Sequence, residues 1–264
     1  DELNITLDRS DGMLPIKEPM WPDYRAMRKL VEQAVSSQFD EEEKSRFQTR
    51  ARLGGMLAAG SAGELALDTA WTAAERLCRA TVKIAGDEPF ESVTAVHQVD
   101  DCTISGVLEN ITPAGQILWS VDGATPWNLI RAWCQHLLLN VLDDSPTRCS
   151  FLIGSEEIVR FSPIDDASEN LSAWASRYQQ GRTRPLPFFP RSALKFVEGN
   201  EASLKPAYEI WLGADYSKSR GEAEDPYFAL AFRDNIEHAL DGEFEKLAPL
   251  IFRPMVNAMT VVTG

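Results

Sequence analysis

The segment "DCTISGVLENITPAGQILWSVDGATPW", residues Asp101–Trp127, decides the fold. "ISGVLENI" alternates and is rich in β-branched residues, "TPAGQ" carries the Pro and Gly of a turn, and "QILWSVD" resumes the pattern. The spacing predicts two antiparallel strands joined by a short turn. "TPW" then offers Thr125 as a helix cap and Pro126 as the first helical residue, ahead of the apolar run "NLIRAWCQHLLLNVL". Acids stand at Glu109, the expected end of the first strand, and at Asp122, two positions after Ser120 on the second. No lysine lies between Lys83 and Lys195.

Working outward, "ESVTAVHQVDD" reads as a preceding strand and "RCSFLIGSEEIVRFSP" as a hairpin turning near Gly154-Ser155. The expected order is therefore helix, three antiparallel strands, helix, then another strand pair. Residues 1–20 read as extended. "PDYRAMRKLVEQAVSS" has helical spacing with Pro22 near its start, "DEEEKSRFQTRARLGGML" takes Asp40 as a cap and Gly54-Gly55 as a stop, and "SAGELALDTAWTAAERLCRATVKI" is a long helix with Ser61 as a cap. After the hairpin the chain returns to helix, with Ile164, Leu171, Trp174 and Tyr178 expected on one face. "GRTRPLPFFPRSALKFV" is a connector and a helix, "EDPYFALAFR" a buried aromatic helix, and "EFEKLAPLIFRPMVNAM" a last helix interrupted at proline. The fold class is α+β: a small mixed sheet flanked by helices (87–264), preceded by a mostly helical portion (1–86).

Composition narrows the function classes. The 264 residues carry a net charge of −14, which disfavours coating nucleic acid over a wide surface but leaves a local basic strip open. No run of about 20 apolar residues offers a membrane span. The acidic start lacks a signal-peptide layout, and without an initiator Met the chain reads as a domain of something longer or as a processed terminus. Cys78, Cys102, Cys134 and Cys149 show no C-x-x-C spacing, and two lie in apolar runs, as expected for reduced thiols in a cytoplasmic protein. His97, His136 and His238 form no ligand pattern and read as structural. The pairs Asp100-Asp101, Asp143-Asp144 and Asp165-Asp166 flank turns or helix starts, where Asp caps and turns. Two basic clusters are candidates for DNA or partner contact: Lys44, Arg46, Arg50 and Arg52 in "KSRFQTRAR", and Arg182 and Arg184 in "GRTRPLPFF". For each, the plainer reading is a solvated face or, for Phe188 and Phe189, core packing.

The succession "LNITL", "RLGGMLAAGSAGELALDTAWTAAERL", "ISGVLENITPAGQILW", "AWCQHLLLN", "RPLPFFPRSA", "GEAEDPYFALAFR", "FEKLAPLIFRPM" resembles the RecC C-terminal domain family, over nearly the whole chain and by the order of its blocks. RecC is the gamma subunit of exodeoxyribonuclease V, the bacterial RecBCD helicase–nuclease. The resemblance implies a PD-(D/E)xK nuclease-like core without the nuclease residues. Active RecB-type domains carry Gly-x-x-x-His at a helix start; from Gly63 the fourth position on is Leu67. They carry Gly-x-x-Asp at a strand end; here Gly106 leads to Glu109, which remains able to ligate magnesium. They carry Asp/Glu-x-Lys on the next strand; here Ser120 and Asp122 stand there, or Val121 and Gly123 one residue on. Val107, Ile117 and Trp119 then read as packing residues, with Trp119 also placed to meet a partner or a base. Gln135, between Trp133 and His136, shows no clear match to the family's downstream helix.

The resemblance thus implies a non-catalytic scaffold that contacts RecB-like and RecD-like subunits and guides or splits DNA strands in double-strand break repair. No cofactor is expected of the domain itself; magnesium and ATP belong to the partners. Two other readings stay open: an active metal-dependent nuclease using Glu109 and Asp122, and a protein-interaction module without DNA contact.

Overall fold

A computed structural model describes residues 21–39, 44–55, 57–86, 88–99, 102–154, 156–213, 220–240 and 242–262. The expected extended start at 1–20, the Asp40 cap and the Asp100-Asp101 pair lie outside them. The chain divides into two compact units, 1–79 and 80–264.

The first unit holds helices α1 (Tyr24–Phe39), α2 (Lys44–Leu53) and most of α3 (Ser61–Ala85). Asp23, rather than Pro22, starts α1: its Oδ1 accepts from the Ala26 amide at 2.8 Å. Gly54 and Gly55 end α2 as expected, the Gly54 amide reaching the Arg50 carbonyl and Gly55 adopting φ +69°. Ser61 lies one residue inside α3 rather than capping it. Leu30, Val31, Phe47, Leu67 and Leu77 are buried, and Phe47 packs on Trp71 with ring centres 5.4 Å apart.

The second unit is α+β. Among the described residues, six strands, β1 (Glu91–Val99), β2 (Cys102–Thr112), β3 (Gly115–Trp119), β4 (Ser150–Ile153), β5 (Ile158–Phe161) and β6 (Met259–Val262), form one sheet in sequence order. Only β3 and β4 pair in parallel; the other neighbours are antiparallel. That parallel step needs a crossover, which α4 (Pro126–Asn140) supplies. Thr125 caps α4 and Pro126 opens it, as expected. The helix buries residues on nearly every side, including Leu129, Trp133, Leu137 and Leu139. Leu138 and Leu139 pack with Ala95, Leu108 and Ile111 of the hairpin, while Leu129, Trp133 and Leu137 join the larger core. A helix that buries most of its sides is central here, not a surface element.

The larger core is completed by α5 (Ala167–Gly181), α6 (Pro190–Glu198), α7 (Lys205–Leu212) and α9 (Glu243–Ala258). Phe189 is its hub, 4.1 Å from Trp211 and edge-on to Phe228 and Phe232. Buried Glu222 accepts from the Arg191 and Ser192 amides and the Ser192 hydroxyl, placing a carboxylate at the positive start of α6.

Several elements depart from expectation. The short helix α8 (Pro226–Ala231) buries none of its residues, with Tyr227 81% exposed; it touches the core through half-buried Phe228. Helix α9 is not interrupted but runs through Pro249 and Pro254. Ile164 precedes α5, and Tyr178 is exposed. Neither α7 nor β6 was anticipated. Ile117 is buried, but Val107 is 59% exposed. A bulge explains it: Glu91 pairs with Ile111 and Val93 with Leu108, so two residues of β2 answer one of β1. Alternation counted back from Ile111 points Val107 inward; the inserted residue reverses the phase.

Candidate functional site

The same bulge rebuilds the candidate site. The first strand does not end at Glu109 but continues to Thr112, and the bulge comprises Glu109 and Asn110. Asn110 sits at φ +57°, a left-handed conformation that Asn tolerates better than most residues. Glu109 is exposed, and Asn110 lines the adjacent cleft. The turn closes at Thr112, whose hydroxyl donates to the Gly115 carbonyl at 2.9 Å and accepts from the Gly115 amide at 3.3 Å.

Strand β3 ends at Trp119, so Ser120 and Asp122 follow it rather than lie on it. Ser120 is committed to structure. Its hydroxyl donates to the Gly123 carbonyl at 2.7 Å and accepts from Asn128 Nδ2 at 2.7 Å, while its amide donates to the Ile153 carbonyl at 2.9 Å. It thereby fastens the strand end to the first turn of α4. Asp122 is half-buried. Leu67 is fully buried within the first unit.

The cleft beside the bulge measures about 90 Å³. Asn110, Asn128, Arg131 and Gln135 supply its polar groups, and Leu118 and Trp119 form part of its wall. Asn128, Arg131 and Gln135 follow at helical spacing, so α4 turns one polar stripe toward the cleft. The sequence carries this signal as three polar residues recurring in an otherwise apolar helix. Gln116 lies fully buried behind them; its Nε2 donates to Gln135 Oε1 at 3.1 Å and to the Glu109 carbonyl at 3.4 Å, and its Oε1 is buried without a partner. Trp119 is held from both sides, its indole donating to Thr81 Oγ1 at 2.9 Å and its ring meeting Phe90 edge-on at 5.9 Å.

The chemistry of this lining is amide and guanidinium. It offers hydrogen bonds and one positive charge, and its residues include no carboxylate. Magnesium prefers anionic oxygens held in octahedral array. Among the described residues, no group of three or more His, Cys, Asp or Glu is placed to hold a metal ion.

The basic candidates are partly committed. On α2, Lys44 pairs with Asp68 at 3.0 Å, Arg52 with Glu64 at 3.7 Å, and Arg50 donates to Ser37 Oγ at 2.8 Å; Arg46 is exposed. Arg184 grips Glu243 through two hydrogen bonds, which hold the Glu243 carboxyl below its ordinary range and the guanidinium above its own. Arg182 is exposed and reaches Gln179 Oε1 at 3.4 Å. Phe189 is buried in the core and half-buried Phe188 packs against it.

His136 is fully buried, its ring nitrogens meeting Ser150 Oγ at 3.0 Å and the Ser162 carbonyl at 3.1 Å. Burial lowers its pKa to about 4, with Arg148 adding to the effect and the Ser162 bond opposing it. Asp165 pairs with Arg148 at 3.1 Å, and Asp166 precedes α5 without capping it through its side chain. All four cysteines are free thiols. Burial pushes Cys78 and Cys134 up to about 11, with nearby Glu75 contributing at Cys78.

No helix among the described residues is long and apolar enough to cross a membrane. No curated protein matches the chain. A family model does: that of the RecC C-terminal domain aligns with residues 1–201, well over half of the sequence. The chain therefore belongs to the RecC C-terminal domain family, which sets it in the RecBCD complex of DNA repair.

Proposed function

We propose that this domain is a non-catalytic scaffold built on a PD-(D/E)xK nuclease-like core. It contacts RecB-like and RecD-like subunits in the cytoplasm and helps guide or split DNA strands during double-strand break repair. Magnesium and ATP act in those partners, not here.

The observation that carries the reading is the lining of the cleft between β2, β3 and α4. A metal-dependent nuclease needs acids there and a lysine beside them, to hold the ion and to stabilise charge on the phosphate. Asn110, Asn128, Arg131 and Gln135 supply neither an acid nor a lysine. The order helix, three antiparallel strands, helix, and a strand parallel to the third is support for nuclease descent. Ser120 and Trp119, at and beside the degenerate positions, are bound into the framework.

The test is cleavage of single- and double-stranded DNA by the full-length subunit with magnesium or manganese, beside its Glu109→Ala and Asp122→Ala variants. The expected result is no cleavage above those variants. Metal-dependent cleavage lost on either substitution would establish an active site with a different residue set and overturn the scaffold reading.

A further inference from the structure

A second cavity of the sheet-bearing unit has the opposite character. A groove of about 360 Å³ runs between α5 and α9. Trp174, Tyr178 and Gly181 line it at i, i+4 and i+7 of α5, and Leu247 and Ile251 at i and i+4 of α9. Leu186 and Phe188 close it from the connector before α6.

Two arginines, Arg177 and Arg182, stand among these apolar walls. Arg177 Nη1 donates to Gln180 Oε1 at 2.7 Å, but its Nε is buried without an acceptor. A guanidinium N–H buried without an acceptor is costly, so this side chain is held at the groove wall under a penalty. Positive charge also gathers beside the groove. Arg177, Arg184 and Lys246 all act on the single carboxylate of Glu243, which Arg184 already binds, and Arg182 adds a further exposed positive charge. On a chain of net charge −14 this is a local basic rim around an apolar trough.

We propose that this groove seats an acidic amphipathic segment of a partner subunit, with an apolar side chain between α5 and α9 and a carboxylate on Arg177 and Arg182. The proposal rests on the scaffold reading above and gives it a surface. Apolar anchors entering a concave groove beside a charged contact are a recurrent mode of peptide recognition. Single-stranded DNA fits less well, because it stacks bases on open ring faces. Here Phe188 stacks on Phe252 at 5.7 Å and meets Trp174 edge-on at 5.8 Å, so the two groove rings are packed on each other and on the core rather than open on both faces. Tyr178, 70% exposed, offers one ring rather than a platform.

The experiment places a photo-crosslinking amino acid at Tyr178 of the full-length subunit, and at Tyr227 of α8 as a control, in the complex assembled with and without DNA. The expected product from Tyr178 is a crosslink to a partner-subunit peptide with acids beside apolar residues. Arg182→Glu should weaken assembly about tenfold, Arg182→Lys much less, and an acid-to-lysine change in the crosslinked peptide should rescue Arg182→Glu. A crosslink to DNA instead, or an assembled complex with no partner crosslink at Tyr178, overturns the proposal while leaving the scaffold reading standing. If the probe blocks assembly, the Arg182 pair decides: equal affinity of the Glu and Lys variants overturns the proposal. Metal-dependent cleavage overturns the scaffold reading by a separate measurement.

Discussion

At the scale of single residues, His136 shows how a group with chemical potential is spent on structure. Its ring sits stacked on Trp133 at 5.3 Å and bonded to the strand ends at Ser150 and Ser162. The folded pKa of about 4 lies below the ordinary 6.5, so the folded state holds the neutral ring. Stability is full above about pH 6.5 and is lost as pH falls toward 4, because the unfolded chain takes up a proton that the folded chain refuses. The loss is on the order of 3 kcal/mol. Urea midpoints at pH 7 and pH 5 should separate, and His136→Gln should remove that part of the separation; an unchanged pH dependence would refute the assignment. His136 was legible as structural because no ligand pattern surrounds it. Val107 and Asn110 were not legible. A single inserted residue at the bulge reverses the alternation that sequence reading relies on, so Val107 faces outward. It also leaves Asn110, not Glu109, lining the cleft.

At the scale of elements, the hairpin and α4 were legible because turn chemistry, capping and periodicity agree there. Thr125 Oγ1 accepts from the Asn128 amide at 3.4 Å. Thr125→Ala should cost about 0.5–1 kcal/mol and Thr125→Ser little, both read from chemical unfolding. Equal loss in the two variants would mean that the cap bond contributes nothing. The polar stripe Asn128, Arg131 and Gln135 is hard to read from the sequence because the apolar residues of α4 outnumber it. Helix α8 misled for the opposite reason: "PYFALA" looks like core, yet six residues cannot bury two faces, and Tyr227 and Leu230 stay outside. Strand β6 was invisible because its four residues take their identity from pairing with β5.

At the scale of the whole molecule, the family match ends at residue 201, but the core does not. Helix α9 contributes buried Phe244, Leu247, Ile251, Phe252 and Met255. At about 1.5–3 kcal/mol for each buried side chain, these five together match the entire stability of an ordinary domain. A chain cut after residue 201 should therefore lose cooperative unfolding and near-ultraviolet dichroism; retention of both would show that the matched region folds alone. The two prolines of α9 carry a further consequence. Pro249 and Pro254 cannot donate to the carbonyls of Glu245 and Leu250, so this helix lacks two rungs of its own ladder. Such a segment is a poor nucleus for folding. It must find a surface already assembled, and the strand that follows it pairs with β5, about a hundred residues earlier in the chain. This segment is thus poorly able to begin folding by itself, and the core that α9 completes stays open until translation reaches it.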